Sequence, residues 1–375
     1  MPELKQIDST TFDIGTLVRP SVRAIPQYVP AKLPDDHPPR VIKLDMNESP
    51  YGPSPKTQAA LSSFSATNRY PDFGAIELRR ALSAYTSVPA EQIMCGAGLD
   101  DVFNTLFLAM IDPGDEVIIH EPTFGVYRAL VAHYNGRTVD APLTSDFELD
   151  ADLVLSLITE KTKIIIICTP NNPTGNALNP LDVERIVANA PCVVAIDEAY
   201  AEFASMSYIP MLERHPNVVV LRTMSKFAGL AGMRVGYGMF PTTFMPFVGH
   251  VAPPFHNISV ASAAAAIAAL DDLDYLRANV ERIVADRDAL AANLRELPGV
   301  EPIPSATNFL LLRLPVGDAA PVVADLSRRG ILVRNFANPF LGIQDCLRVT
   351  IGTQEENEIF LNVLDEILRL KGQLA

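Results

Sequence analysis

The sequence predicts an α/β protein, with a large domain built on a mostly parallel sheet sandwiched by helices and a smaller α+β domain behind it. Three observations predict this. Residues 164–168 and 193–197 are apolar without alternation, the composition of strands covered on both faces. Strand-like and helix-like segments take turns from residue 93 onward, which favours a parallel sheet with crossover helices. From residue 259 to 297 the pattern becomes long helical runs, and short mixed strands and helices follow.

The elements follow in order. Residues 1–40 are proline-rich, lack periodicity and read as an extended arm, with Ile25, Tyr28 and Val29 as anchors. A turn-rich segment, Asn47-Glu48-Ser49-Pro50-Tyr51-Gly52-Pro53, leads through a short helix to Arg69-Tyr70-Pro71, and helical patterning resumes over 75–85. Strands are expected at 93–95, 116–120, 138–139, 164–168, 193–197 and 218–221, with helices over 102–110, 124–134 and 150–159. The later chain gives strands at 301–303, 309–314, 331–334 and 347–351 and helices over 319–329 and 355–370. The expected division is an arm over 1–45, a large domain over 46–258 and a small one over 259–375.

Composition narrows the function. With 375 residues, 48% of them hydrophobic, the chain can bury a large core. A formal charge of −14 argues against a nucleic-acid surface, which needs a concentrated positive footprint. Cys95, Cys168, Cys192 and Cys346 stand far apart with no C-x-x-C pair, and the six histidines show no metal-ligand spacing. The start Met1-Pro2-Glu3-Leu4-Lys5-Gln6 lacks a basic region followed by an apolar core, and no apolar run is long enough to span a bilayer. The expectation is a cytoplasmic protein without a metal.

The chemistry centres on Lys226, set among Thr223, Ser225, three glycines and Arg234 directly after an apolar strand. An amine whose pKa is lowered by burial or a nearby cation can form a Schiff base with an aldehyde. Hydroxyls, glycines and a guanidinium beside it suit a phosphate. Taken alone, the Ser225-Lys226 pair reads more readily as a solvated loop lysine, with Arg234 in a surface ion pair, and the rest of the chain reverses that. The turn Gly96-Ala97-Gly98-Leu99 between a strand and a helix start offers free N–H groups to an anion, or simply connects the two. Asn172 sits in the rigid loop Thr169-Pro170-Asn171-Asn172-Pro173-Thr174-Gly175 and can grip a hydroxyl or just shape a turn. Asp197 ends a strand, where a carboxylate needs a cation or caps a helix. Gly98, Asn172, Asp197 and Lys226 all follow strands, and in open α/β sheets ligands bind at that end.

These segments, in this order and over nearly the whole chain, resemble the fold-type-I pyridoxal-phosphate aminotransferases, most closely the histidinol-phosphate aminotransferases. The matching stretches also include Glu121-Pro122-Thr123-Phe124, Asp197-Glu198-Ala199-Tyr200, Leu230-Ala231-Gly232-Met233-Arg234 and Leu347-Arg348-Val349-Thr350-Ile351-Gly352-Thr353. The resemblance implies a seven-stranded large-domain sheet and pyridoxal 5'-phosphate as cofactor. Lys226 would carry the cofactor as a Schiff base and then shuttle the proton, and Asp197 would hold the pyridine nitrogen protonated. Asn172 and Tyr200 would bond the phenolic oxygen while Phe124 stacks on the ring. Backbone N–H groups of Gly98 and Leu99, with Ser225 and Arg234, would cradle the phosphate, joined by Tyr70 from the second subunit of a homodimer. Arg334 and Arg348 would clamp the substrate anion, with Tyr28 closing over it.

The implied reaction converts histidinol phosphate and 2-oxoglutarate to imidazole-acetol phosphate and glutamate, in histidine biosynthesis. An aromatic amino-acid aminotransferase or a phosphothreonine decarboxylase would use the same scaffold. A non-enzymatic reading is a degenerate pyridoxal-phosphate-binding regulator. Three departures from the relatives' pattern fall at Leu99, at Phe124 in place of a tyrosine, and at Pro253-Pro254-Phe255-His256-Asn257.

Overall fold

A computed structural model describes residues 13–25, 33–34, 37–253, 257–336, 341–370 and 372. Tyr28 and the segment around His256 lie outside the described residues. Thirteen strands occur among them: β1 (Ile42–Lys43), β2 (Ile93–Ala97), β3 (Glu116–Glu121), β4 (Arg137–Pro142), β5 (Thr162–Cys168), β6 (Val193–Asp197), β7 (Val218–Thr223), β8 (Val235–Met239), β9 (Glu301–Pro302), β10 (Phe309–Arg313), β11 (Ile331–Leu332), β12 (Arg334–Asn335) and β13 (Cys346–Thr350).

Seven of them form one sheet in the order β2-β8-β7-β6-β5-β3-β4. Neighbours from β7 across to β4 run parallel, while β8 is antiparallel to both β2 and β7. Both faces are covered, as the non-alternating runs imply. Ile165, Ile167, Val194, Ile196, Val218 and Val220 point into a core with helices Ile76–Thr86, Pro180–Asn189 and Leu273–Arg295. Ile164, Ile166, Ala195, Val219 and Leu221 point the other way, onto helices Leu99–Met110 and Val126–His133. The period of two persists, with an apolar layer waiting on either side.

The sequence reading places no strand at β8. Its residues are Val-Gly-Tyr-Gly-Met, and glycines break the apolar signature. They are there for space: a Cβ on Gly236 would overlap the backbone at Gly98 and Leu99, and one on Gly238 would press into Phe240, Leu221 and Val102.

The second sheet, β12-β13-β10-β9, is antiparallel throughout. Helices Ala320–Arg328 and Gln354–Leu370 flank it. The chain leaving the arm also belongs here, because β1 pairs in parallel with β11 and Leu44 O accepts the Thr350 N–H at 2.9 Å. Residues 45–47 are thereby delivered to the gap between the two sheets.

Candidate active site

The residues expected after β2, β5, β6 and β7 gather at one end of the large sheet. Asp197 closes β6, in register with Cys168 of β5 and Leu221 of β7. It is 3% exposed. Oδ1 accepts the Ala199 N–H at 2.9 Å, and Oδ2 accepts the Tyr127 hydroxyl. Burial raises its carboxyl to about 6, against the two donors, with Asp100 and Glu198 adding to the rise. At neutral pH it is ionised, yet no cation lies in salt-bridge reach of it among the described residues. A buried carboxylate in that condition is a receptor for a cation from outside the chain.

Lys226 follows β7 by three residues, and its Nζ donates to Met46 O at 2.9 Å. Burial, then the charge of Arg348, pulls the amine down to about 8. Near neutrality a useful share is therefore unprotonated, as a nucleophile or base requires. Glu48, Arg234 and Asp100 also act on it, and Asp100 acts on Asp197 too, so the acid and the amine share one electrostatic neighbourhood.

The turn expected to cradle a phosphate brings Gly98, Leu99 and Arg234 together, but not with every donor expected. Gly98 has φ +87°, and a Cβ there would overlap the Arg234 guanidinium, so only glycine lets the two approach. The N–H of Gly98 is given to Gly96 O at 2.8 Å. The Asp101 N–H is likewise given to Gly98 O at 3.3 Å, so the first-turn donors on offer are those of Leu99 and Asp100. Asp101, in that turn, is bent back to accept from Ala97 N at 2.9 Å, and Asp100 meets Arg234 at 3.5 Å. Ser225 is buried beside Thr223, whose hydroxyl donates to Ser225 Oγ at 3.0 Å.

Across the gap stand the arginines. Arg348 is 8% exposed, donating from Nη1 to Asn172 Oδ1 at 2.6 Å and from Nη2 to Asp45 O at 2.5 Å. Its guanidinium carbon lies 5.3 Å from the Phe309 ring centre. Arg334, half-buried, is directly opposite Arg348 in the β12–β13 ladder, and opposed residues share a face. Phe124 is half-buried and meets Tyr127 edge-on at 5.5 Å. Tyr70 is 84% exposed on the single chain.

Tyr200 is buried, and its hydroxyl accepts from Asn47 Nδ2 at 2.9 Å; burial raises its phenol, which keeps its own proton to donate. Asn47 is a residue that sequence reasoning gave no role. Its N–H donates to Thr350 Oγ1 at 2.9 Å and its carbonyl accepts Asn308 Nδ2 at 3.0 Å, so it pins the wall carrying Tyr200 to the second sheet. Its φ of +53°, which asparagine tolerates better than most, has no signature in a single sequence. Tyr127 was also missed. Its spacing of three from Phe124, at the start of a helix, was the available signal.

The chain is similar to known proteins over nearly its whole length. The family model for aminotransferase class I and II matches residues 39–364. A histidinol-phosphate aminotransferase from Roseiflexus castenholzii is 43% identical, covering 94% of this chain and 99% of its own. One from Dehalococcoides mccartyi is 37% identical, covering 95% and 99%. Among solved structures, the histidinol-phosphate aminotransferase from Sinorhizobium meliloti in complex with pyridoxal 5'-phosphate superposes with a TM-score of 0.85 at 26% identity, over 94% of this chain and 98% of that one. The chain belongs to the class I and II aminotransferases.

Proposed function

We propose that the chain is a pyridoxal-phosphate enzyme that reversibly exchanges the amino group between histidinol phosphate and 2-oxoglutarate, on one side, and imidazole-acetol phosphate and glutamate, on the other, running toward histidinol phosphate in histidine biosynthesis. The observation that carries it is the ionised, buried Asp197 without a cation, in the same electrostatic neighbourhood as the softened amine of Lys226. The names of the near-full-length relatives supply the substrate.

Pyridoxal phosphate, when bound, supplies an aldehyde for the amino group and a ring that spreads the electron pair left when a proton departs. The chain does the rest. Asp197 holds the protonated ring nitrogen, Asn172 and Tyr200 hold the phenolic oxygen, and Phe124 covers the ring. Leu99 N–H, Ser225 and Arg234, beside Gly98, hold the phosphate. Lys226 Nζ, once released from Met46 O, would be the base that takes the proton from the substrate's amine-bearing carbon and holds it for return. Arg348 and Arg334 hold the substrate phosphate or the glutamate carboxylate.

Tyr70 is read as serving the partner subunit's phosphate site in a homodimer. Its 84% exposure, with Phe73 at 71% nearby, fits a face that a second copy covers. The division into an arm (1–45), a large domain (46–258) and a small domain (259–375) belongs to the same reading. Four free cysteines fit a reducing, cytoplasmic setting.

The test is a donor panel of histidinol phosphate, phenylalanine, tyrosine and phosphothreonine, run on wild type and Lys226→Ala. Histidinol phosphate should be the best donor, and Lys226→Ala should lose at least about a thousandfold in turnover. A faster aromatic donor, or decarboxylation of phosphothreonine, overturns the substrate. Near-normal multiple turnover by Lys226→Ala overturns the catalytic assignment.

A further inference from the structure

We propose that Tyr127 is a positioning residue for Asp197, its hydroxyl keeping the carboxylate ionised and fixed in one orientation so that it can hold a protonated ring nitrogen. This rests on the reading of Asp197 given above.

Tyr127 is fully buried in the helix Val126–His133. Its ring is gripped by Phe103, centroids 5.1 Å apart, and by Phe124 at 5.5 Å, which aims the hydroxyl at the Asp197 carboxylate with the Cys168 thiol beside it. The hydroxyl goes to Asp197 Oδ2. A carboxylate has about four acceptor positions. Tyr127 takes one on Oδ2 and Ala199 N–H takes one on Oδ1, leaving each oxygen with capacity for a third donor.

The other groups around Asp197 work against its charge or are silent. Asp100, from the first turn of helix Leu99–Met110, and Glu198, next in the chain, both press it toward the neutral form. Cys168, opposite it on β5, is a thiol pushed up to about 12 by burial, with its Sγ turned to Pro170 O at 3.6 Å. His120 spends Nε2 on the Cys168 N–H at 3.0 Å. Tyr127 is thus the one side-chain donor to Asp197 among the described residues. Its own phenol is raised far above the ordinary value, chiefly by burial, so it remains a donor at every working pH.

The strength of a hydrogen bond to a buried charge corresponds to a carboxyl shift of about one to two pH units. Without the hydroxyl, Asp197 would titrate close to neutrality and spend much of its time as an acid, unable to pair with a cation.

The experiment follows the Asp197 carboxyl by infrared titration of the full-length, 13C-aspartate-labelled chain freed of cofactor, with Asp197→Asn as the blank. Tyr127→Phe should move the titration up by about one to two pH units. In the loaded enzyme the acidic limb of the kcat profile should move the same way, costing about tenfold at neutral pH and recovering in base, with KM little changed. Should Tyr127→Phe fold poorly by circular dichroism, 3-fluorotyrosine at position 127, a stronger donor, should move the titration down instead. Tyr134→Phe removes another partly buried hydroxyl, one that donates to Asn104 O at 3.1 Å, and should move nothing. A titration unmoved in Tyr127→Phe or with 3-fluorotyrosine, or moved equally by Tyr134→Phe, overturns the proposal. If Asp197→Asn holds cofactor and turns over like wild type, the reading of Asp197 fails instead.

Discussion

Two walls of one pocket are built on different plans. At the ends of β5, β6 and β7, Asn172, Asp197 and Ser225 are each placed by the strand they follow, and all three are buried. Across the gap, Arg334 and Arg348 are placed by pairing: neither is special in its own strand, and only the β12–β13 register sets one against the other. The first wall holds a cation-seeking carboxylate between one backbone donor, Ala199, and one side-chain donor, Tyr127. The second holds two cations on one face, one buried and tied to Asn172 and Asp45, the other half-buried. The parallel wall suits a group that stays, and the antiparallel ladder suits an anion that comes and goes.

The largest effect should come from the joint between them. Arg348→Ala removes the anion contact and also the hold on Asn172 and Asp45. It should lower kcat/KM for glutamate and histidinol phosphate by about a hundredfold or more, whereas Arg334→Ala should cost about tenfold and bear harder on the phosphorylated substrate. Efficiencies within a factor of about three of wild type in Arg348→Ala would make the two walls independent.

Next comes the strain in the first wall. Folding raises the Asp197 carboxyl from 3.8 to about 6, so between those values the folded chain keeps a proton that the unfolded chain has released. Stability therefore falls as pH climbs through that window, by about 3 kcal/mol in the cofactor-free chain. His120, held down to about 4 by burial, works in the opposite sense. The measurement is accordingly a difference between urea unfolding curves of wild type and Asp197→Asn. The variant should gain on wild type across the window and keep a constant lead above about pH 7. A flat difference would remove the assigned cost of burying the charge.

The smallest effect concerns Tyr70. Lys226→Ala and Tyr70→Ala chains, each first shown to be nearly inactive, are unfolded, mixed equally and refolded. Half of the dimers should be mixed, each with one intact site, so activity should return to about a quarter of wild type. No recovery from confirmed mixed dimers would put Tyr70 outside the partner's site.

The difference between the walls also explains what could be read in the chain. Lys226, Asp197 and Asn172 were legible because an apolar, non-alternating run announces a buried parallel strand and chemistry follows its end. Strand β8 was not, because Gly236 and Gly238 trade apolar signal for room against the helix at Leu99. The opposition of Arg334 and Arg348 needs a register, and the bonds of Asn47 to Tyr200 and Thr350 need a tertiary path; neither leaves a local pattern. The role proposed for Tyr70 rests on family resemblance alone, since no local pattern around it suggests one.

The bond from Asn47 to Thr350 joins residues 303 apart in the chain. On a ribosome working at about 5–20 residues per second, that separation is a wait of roughly 15–60 s. Strand β2 waits as well, since its partner β8 pairs Cys95 with Tyr237. A nascent chain thus carries Lys226 before Arg348 exists to help soften it and before the second sheet can fold over it.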